Sequence, residues 1–590
     1  MANREHARRL LQCLAVAIRP LHIEELAEIL ALDFPTDGAT PKLNSEWRWE
    51  DLQRAVLSTC SSLITVIDDG DSRVVQFSHF SVKEFLTSNR LSTSKGDVSH
   101  FHIVPEPAHT TLAQACLGTL LQLDAGLNIN WDEGSFPLVI YASQHWVEHA
   151  QFGTVSSRIE DGMRRLFDSG KPYFAAWLRL YDIDDYWSVW TPFTNHRTPH
   201  HGSPLYYASL CGFHDLAAQI IVEHPEQLNP RNGRNHSPLV AALHKGHFNV
   251  AELLHRHGAS VAITDHRDQT PLHTAAAWGL IDVARWLLDH GVDANPQDVN
   301  CCTPIHLATA AGYIEVVRIL LVHGVRINAV DYVGQTPLHQ ASNSWNLELV
   351  RLLLQYGADT NARNKEYSTP LHLASSAERP EIVRLLLDHC ANTEAGNKDG
   401  SFPLHLASHQ GETEIVRLLL NHGANVHSEN KDGSTPLHLA RKTEIVRLLL
   451  GGGANSNAQD KEGYTPLHQA IYHDQVEIVC SLLDWGADAN AEDEVRGTPS
   501  HLASFLGTTE IARQLLDRGA NVDAEDEYEQ SPLHLASCQG ITQIVCLLLD
   551  YGANVDAKDQ DGCTPIQVAS GEGKNKIVQM LTEHDAHARR

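Results

Sequence analysis

Histidine is the residue type to weigh first. The chain carries 37 of them, and neutral imidazole is both a common metal ligand and the side chain that titrates near neutral pH. Nine stand in one recurring place, two residues after a proline: His273, His306, His339, His372, His405, His438, His468, His501 and His534. A metal centre needs several ligands converging on one point. One imidazole per regular interval is instead the pattern of a structural tie, in which each ring bonds a neighbouring threonine hydroxyl or loop backbone and links adjacent loops. A phosphate-binding loop needs spaced glycines followed by a lysine and a hydroxyl residue, so that backbone N–H groups and an ammonium surround the phosphates. The nearest stretch, Gly571-Glu572-Gly573-Lys574-Asn575, lacks the upstream glycine and the hydroxyl. No G-x-S-x-G, H-E-x-x-H or Cys/His nucleophile context occurs. Eleven cysteines, an odd number without C-x-x-C spacing, argue against a disulfide framework or a structural zinc and for a reducing compartment. The expectation is no catalytic residue, no metal, no cofactor and no small-molecule substrate.

The elements that hold these histidines are set by a repeat. Prolines recur at Pro204, Pro238, Pro271, Pro304, Pro337, Pro370, Pro403, Pro436, Pro466, Pro499, Pro532 and Pro565, mostly 33 residues apart. The best-kept units read S-T-P-L-H-L-A, a polar link, E-I-V-R-L-L-L, then H-G-A-N. Thr435 before Pro436 suits a helix N-cap, and proline suits the first turn because no N–H is needed there. Leu437, Leu439 and Ala440 give a short first helix its apolar face; Ile415, Val416, Leu418, Leu419 and Leu420 do so for a longer second helix. Gly423 stands where a left-handed C-cap is expected, with His422 in the last turn. The stretch 425–434, with Asp432-Gly433 at its tip, reads as a hairpin loop.

These residues closely resemble the ankyrin repeat family, whose signature is T-P-L-H-x-A at a 33-residue period. The resemblance runs from near residue 200 to the C-terminus and implies a solenoid of about twelve units. Three units replace the turn glycine, with Trp345, Glu378 and Asp474. The unit from Pro436 omits three residues of its inter-helix turn, since Ala440 is followed by Arg441-Lys442 and at once by Thr443. A shortened first helix and a weak point are expected near 435–464. The end of the chain, with Lys574, Asn575, Lys576 and a polar tail 584–590, reads as a capping repeat.

Ahead of the array, seven of the eleven tryptophans precede residue 200. Helical periodicity covers 7–18, 23–32 and 49–62; an alternating run 63–67, an acidic turn 68–71 and a second run 74–77 follow, then helix from 80 to 88. Three helices and a two-stranded wing predict a winged-helix domain over 1–95. Residues 96–200 read as a helical connector with helices at 112–123, 136–150 and 163–180, and the array occupies 201–590. The run Val75-Gln76-Phe77-Ser78-His79-Phe80-Ser81-Val82-Lys83-Glu84-Phe85-Leu86 resembles filamentous-fungal NOD-like proteins, as do residues 10–32 and Tyr141-Ala142-Ser143-Gln144-His145-Trp146-Val147-Glu148-His149. In that group a winged helix follows a NACHT nucleoside-triphosphatase and precedes repeats. The resemblance implies a place in non-self recognition or cell-death signalling and makes His79 similar to a nucleotide-sensing histidine. This chain starts where such a switch would end, so a truncated gene and a chain that has lost the switch are both open. Without a phosphate loop His79 reads as fixing the wing against the next helix.

Charge narrows the partners. Across 590 residues the net charge is -28. Residues 1–200 hold 17 basic and 25 acidic side chains, and 201–590 hold 28 and 48. No basic stripe suits nucleic acid or anionic lipid; the third helix carries Glu50, Asp51 and only Arg54 as a cation. No apolar run is long enough to span a membrane. Arg8 and Arg9 before the apolar stretch 10–18 imitate a signal peptide, but the stretch is short, is interrupted by Gln12 and continues into an acidic helix. A cytoplasmic protein, with the nucleus as the alternative compartment, is expected.

What remains is recognition of a protein partner. Variable positions at hairpin tips and first-helix ends nominate Arg267, Trp278, Tyr332, Trp345, Lys365, Lys398, Lys431, Lys461, Tyr472, Phe505 and Tyr528, since exposed aromatics commonly anchor interfaces. Two other readings stay open for these positions: aromatics that bury against the next repeat, and a merely solvated lysine stripe, each lysine being followed by an acid. The reading is a mostly helical, non-enzymatic scaffold or sensor arm. The alternatives are the C-terminal part of a NACHT switch and a winged-helix transcriptional regulator.

Overall fold

The computed structural model describes residues 2–35, 39–44, 52–60, 62–69, 72–93, 97–123, 136–181, 183, 202–230, 237–265 and 267–588. They form two compact units, Met1–Pro271 and Leu272–Arg590.

The first unit opens with α1 (Ala2–Val16), β1 (Leu21–His22), α2 (Ile23–Leu30), a short antiparallel pair of β2 (Leu32–Asp33) with β3 (Lys42–Leu43), and α3 (Leu52–Cys60). β4 (Ile64–Asp69) and β5 (Ser72–Phe77) pair antiparallel in the register Val66↔Val75, and β1 adds to the far edge of β5 through Leu21↔Val75. The wing is therefore three-stranded, where the periodicity showed two strands. A two-residue strand is too short to declare an alternation. Leu10, Leu11, Leu21, Ile23, Leu26, Ile29, Val56 and Val75 fill the core. Arg19 fixes the entry to α2 through two bonds to the buried Glu25, at 2.6 and 3.0 Å, while Glu25 accepts the His22 N–H at 2.7 Å. The third helix falls within the expected span but Trp49, Glu50 and Asp51 lie outside the described residues, as do Gly70 and Asp71 of the wing turn.

After α4 (Phe80–Thr87) and α5 (Asn89–Ser92), the connector holds α6 (Pro105–Leu120), α7 (Val139–Ala150), α8 (Val155–Arg158), α9 (Glu160–Leu166) and α10 (Tyr173–Leu180). The single helix expected over 163–180 is broken in two. Asp168 accepts the Gly170 N–H at 2.8 Å, a local turn that competes with helix continuation. Trp146 and Trp177 are fully buried and meet edge to face at 5.4 Å. Tyr207, in the first helix of the first repeat, and Phe213, in the turn after it, join this aromatic cluster at 6.2 Å from Trp177 and 5.5 Å from Trp146. Gln151 also donates to the Cys211 carbonyl at 2.7 Å. The repeats from Pro204 and Pro238 thus belong to the first compact unit.

In the second unit the repeats, except the short one at Pro436, give two helices each, as in Pro304–Ala311 followed by Ile314–Val322. Their leucine, isoleucine and valine faces are buried, each large side chain adding roughly 1.5–3 kcal/mol. Gly312 closes the first helix at φ +80°. Glu378 and Asp474, standing where other repeats have that glycine, adopt φ +62° and +52°. Trp345 avoids the left-handed region: Ser344 Oγ accepts the Asn346 N–H at 3.1 Å, and Asn346 Oδ1 caps the next helix at the Leu349 N–H. In the short unit the first helix is not merely shortened. Residues 436–439 form a turn only, and the next helix is Thr443–Gly451. At the C-terminus, 584–588 continue the helix Asn575–Ala588 instead of forming a tail.

Candidate interaction surface

The histidine slot repeats one geometry, save that His468 Nε2 lacks the hydrogen bond to the next repeat. In His306, Nδ1 accepts from the Thr303 N–H at 3.2 Å and the Thr303 hydroxyl at 2.8 Å, while Nε2–H donates to the Gln335 carbonyl of the next repeat at 3.1 Å. The inter-repeat bond recurs at His273, His339, His372, His405, His438, His501 and His534, to Cys302, Ser368, Ser401, Ser434, Tyr464, Gln530 and Cys563. Burial lowers the pKa of the slot rings from His306 to His534, those of His372 and His405 to about 4. In His306, His339, His372, His405, His438, His501 and His534 both ring nitrogens are spent on the fold. The N-cap threonine forms a reciprocal capping box with the slot histidine at Thr303, Thr336, Thr369, Thr465 and Thr498, its hydroxyl also donating to the ring, while Phe402 and Ser531 take its place in two other repeats. His79 serves its own helix. Its Nδ1 accepts the Ser81 N–H at 3.2 Å, so it caps α4 and does not brace the wing.

The hairpins carry two features that sequence reasoning missed. An Asp or Asn side chain folds each tip from inside, as Asn430 Oδ1 does by accepting the Asp432 and Ser434 N–H groups at 2.9 Å each. The tips are also stitched together by backbone: the N–H groups of Tyr332, Lys365, Lys398, Lys431, Lys461, Glu494 and Glu527 donate to Asn300, Val333, Glu366, Asp399, Asp432, Glu462 and Val495 at 2.8–3.2 Å. The signal for the first was present in the recurrent Asp/Asn at 331, 364, 397, 430, 460, 493, 526 and 559. The second is blind to side-chain type and leaves no trace.

All eleven nominated residues are exposed. Trp345 is the most open large side chain, 83% exposed, and the Arg379 guanidinium lies over its ring at 3.3 Å while Arg379 Nε donates to the Ser344 carbonyl. Tyr472 and Phe505 occupy the same position, six residues after the proline, in consecutive repeats. Trp278 ends its helix and Trp345 sits in a turn, three or more repeats away from that pair, so the aromatics form two groups. Tyr332 and Tyr528 lie at tips; Tyr528 bonds the Glu527 carboxylate, which raises its phenol pKa. Lys398 Nζ pairs with Glu366 at 3.2 Å, a screened surface contact between neighbouring tips. Lys365, Lys431, Lys461 and, in the first unit, Arg267 project into solvent. A further exposed aromatic set, Tyr356, Trp485 and Tyr551, stands at the C-caps of second helices, where the repeat pattern had suggested only a capping role. Among the described residues no helix is long and apolar enough to cross a membrane.

Comparison with known proteins agrees with this architecture. The family model described as ankyrin repeats (3 copies) matches residues 205–298, 293–364, 346–430, 423–493 and 496–590. A second model, described as the winged helix domain of GPI inositol-deacylase, matches residues 1–101. The azaphilone pigments biosynthesis cluster protein L of Monascus ruber is 32% identical over 265 residues, 42% of this chain and 54% of that protein. The chain thus spans about half the length of this curated relative. Because the repeat matches cover well over half of the residues and the matched repeats, the short one at Pro436 excepted, show the stacked helix pair, the chain belongs to the ankyrin-repeat family and carries a winged-helix domain of the GPI inositol-deacylase type at its N-terminus.

Proposed function

We propose that the chain is a non-catalytic scaffold whose array binds a protein partner through first-helix ends and hairpin tips, with the winged-helix unit as its second functional part. One observation carries the reading. Trp278, Trp345, Tyr472 and Phe505 are 47%, 83%, 65% and 51% exposed on repeats whose interior is already filled by aliphatic side chains. Rings that the core does not need are the usual anchors of an interface. The slot histidines are buried and, apart from His468 Nε2, their ring nitrogens are engaged in hydrogen bonds of the fold, which speaks against a catalytic role. Alanine at Trp345, Tyr472 and Phe505 together should weaken a captured partner about tenfold or more while moving the thermal midpoint little. A fall of about 2–5 kcal/mol in stability for each would make them core residues and end this reading.

A second reading, that the chain is the regulatory arm of a nucleotide-dependent switch, is favoured by the type of its winged helix. Full-length cDNA decides it: an in-frame upstream phosphate loop supports the switch, and its absence from every transcript rejects it.

A further inference from the structure

The three residues missing from the repeat at Pro436 change the chemistry of the surface. Flanking repeats continue their first helices past the alanine, to Gln410 on one side and Tyr472 on the other. Here the chain turns at Ala440 and puts Arg441 and Lys442 in the step left behind. Their placement is fixed: the Arg441 N–H donates to the Ser408 carbonyl of the preceding repeat at 3.3 Å, and Arg441 Nη2 donates to His409 Nε2 at 3.2 Å. The Lys442 stem lies over Gly411 so closely that a Cβ there would stand 3.1 Å from its Cε. On the far side, the His473 pKa is lowered by burial and then by the Arg441 and His409 charges, so three consecutive repeats bring their cationic or imidazole groups within electrostatic reach of one another.

No carboxylate of the described residues lies within 4 Å of Arg441 or Lys442. By contrast, the second-helix arginines of the two preceding repeats are paired, Arg384 with Glu414 and Arg417 with Glu444. Asp474 and Glu412 stand in the adjoining turns, and neither enters among the charges acting on His409 or His473. Beside this cluster the apolar rings of Tyr472 and Phe505 and the side chain of Leu506 are exposed. A cationic step bordered by apolar side chains, on a protein of net charge -28, is a local reversal of the prevailing field.

We propose that the short repeat is a specificity site for an acidic peptide segment of a partner protein. Its carboxylates would lie against Arg441 and Lys442, and an adjacent aromatic or aliphatic side chain against Tyr472, Phe505 and Leu506. This rests on the scaffold reading and narrows it to one place and one chemistry. Guanidinium and ammonium groups together favour carboxylates, and the adjoining rings favour a segment that mixes acids with apolar residues over a purely charged one.

The test is selection of a displayed random dodecapeptide library on the full chain, with the double variant R441E/K442E selected in parallel. Both positions are exposed, and circular dichroism checks that the variant folds. The expected outcome is peptides with two or more acids next to an apolar residue. Their fluorescence-anisotropy affinity should fall about tenfold or more in R441E/K442E and in Y472A/F505A, and several-fold between 50 and 300 mM salt. Neutral or basic selected peptides, or affinity indifferent to R441E/K442E, would overturn the proposal. If such peptides are lost instead in W345A or Y332A, this site fails and the scaffold reading stands. If no peptide is selected, both fail. A single-stranded DNA oligonucleotide that displaces the peptides and binds more tightly than they do would reassign the step to nucleic acid.

Discussion

The connector region of the first unit and the repeats of the second bury polar groups by opposite strategies. In the connector, unlike residues share one irregular interior. The Ile18 N–H donates to Tyr141 Oη at 3.1 Å, Tyr141 bonds His149 Nε2 at 2.8 Å, and His149 Nδ1 meets His109 Nδ1 at 2.8 Å. That chain ties together segments more than a hundred residues apart, and Trp146 and Trp177 pack beside it. In the array the slot histidines, apart from His468 Nε2, bond within their own repeat and to the next one. The difference teaches where damage should spread: through the whole of the connector interior, but across only one or two interfaces of the array.

Acid gives the largest expected contrast. The slot histidines from His306 to His534 have pKa values lowered below 6.5 by burial, to about 4 for His372 and His405. Between those values the unfolded chain binds more protons, so stability is complete above about pH 6.5, falls as pH drops towards 4, and levels off below. Each of these two contributes on the order of 3 kcal/mol, and the other slot histidines act in the same direction. The connector has His149, lowered to about 3, with His109 also lowered. Far-UV circular dichroism, dominated by repeat helices, should therefore lose its urea resistance before tryptophan fluorescence, weighted to residues 1–200, does. The reverse order would break the comparison.

Trp146→Ala should cost about 3–5 kcal/mol and remove hydrogen-exchange protection from α6, α7, α9 and α10 together. Loss confined to α7 would show that the connector is as modular as the array. His306→Ala leaves the Gln335 carbonyl and the Thr303 N–H without their ring partner, at about 1–3 kcal/mol. Its loss of protection should stop within the adjoining repeats. At the small end, Tyr367→Gly should stabilise by about 0.5–1 kcal/mol in thermal melts, because Tyr367 holds φ +56° at a tip where Gly400 and Gly433 are at ease. A destabilisation would mean that the ring contributes to packing.

Those contrasts also explain what could be read beforehand. A period near 33 with Pro, His and Leu in fixed slots made the array and its histidine ties legible, because each residue's task is local and repeated. The break between α9 and α10, the third strand at Leu21–His22 and the Tyr141–His149–His109 chain depend on long-range partners, and periodicity does not report those. The candidate surface was legible only as exposure: Trp345 and Tyr472 stand where the repeat tolerates change. The cationic step escaped notice because the shortened turn looked like a loss, when it also positions Arg441 and Lys442. Non-glycine residues at left-handed tips, such as Arg496 at φ +56°, show that the neighbouring Asp493 side chain can impose a conformation the residue itself disfavours.

The short repeat keeps its hairpin in step. Lys461 N–H still reaches the Asp432 carbonyl at 2.9 Å and His438 still reaches Tyr464 at 3.0 Å, although three residues have gone from the inner turn. In evolutionary terms, the inner turn is a place where whole codons can be lost or gained without disturbing the lattice on either side. The hairpin is not, because a change of length there would break bonds to two neighbours at once. Novelty in such a protein therefore has a preferred address: new contours can be cut into the inner face by small in-frame deletions while the stitched edge preserves the inheritance of the fold.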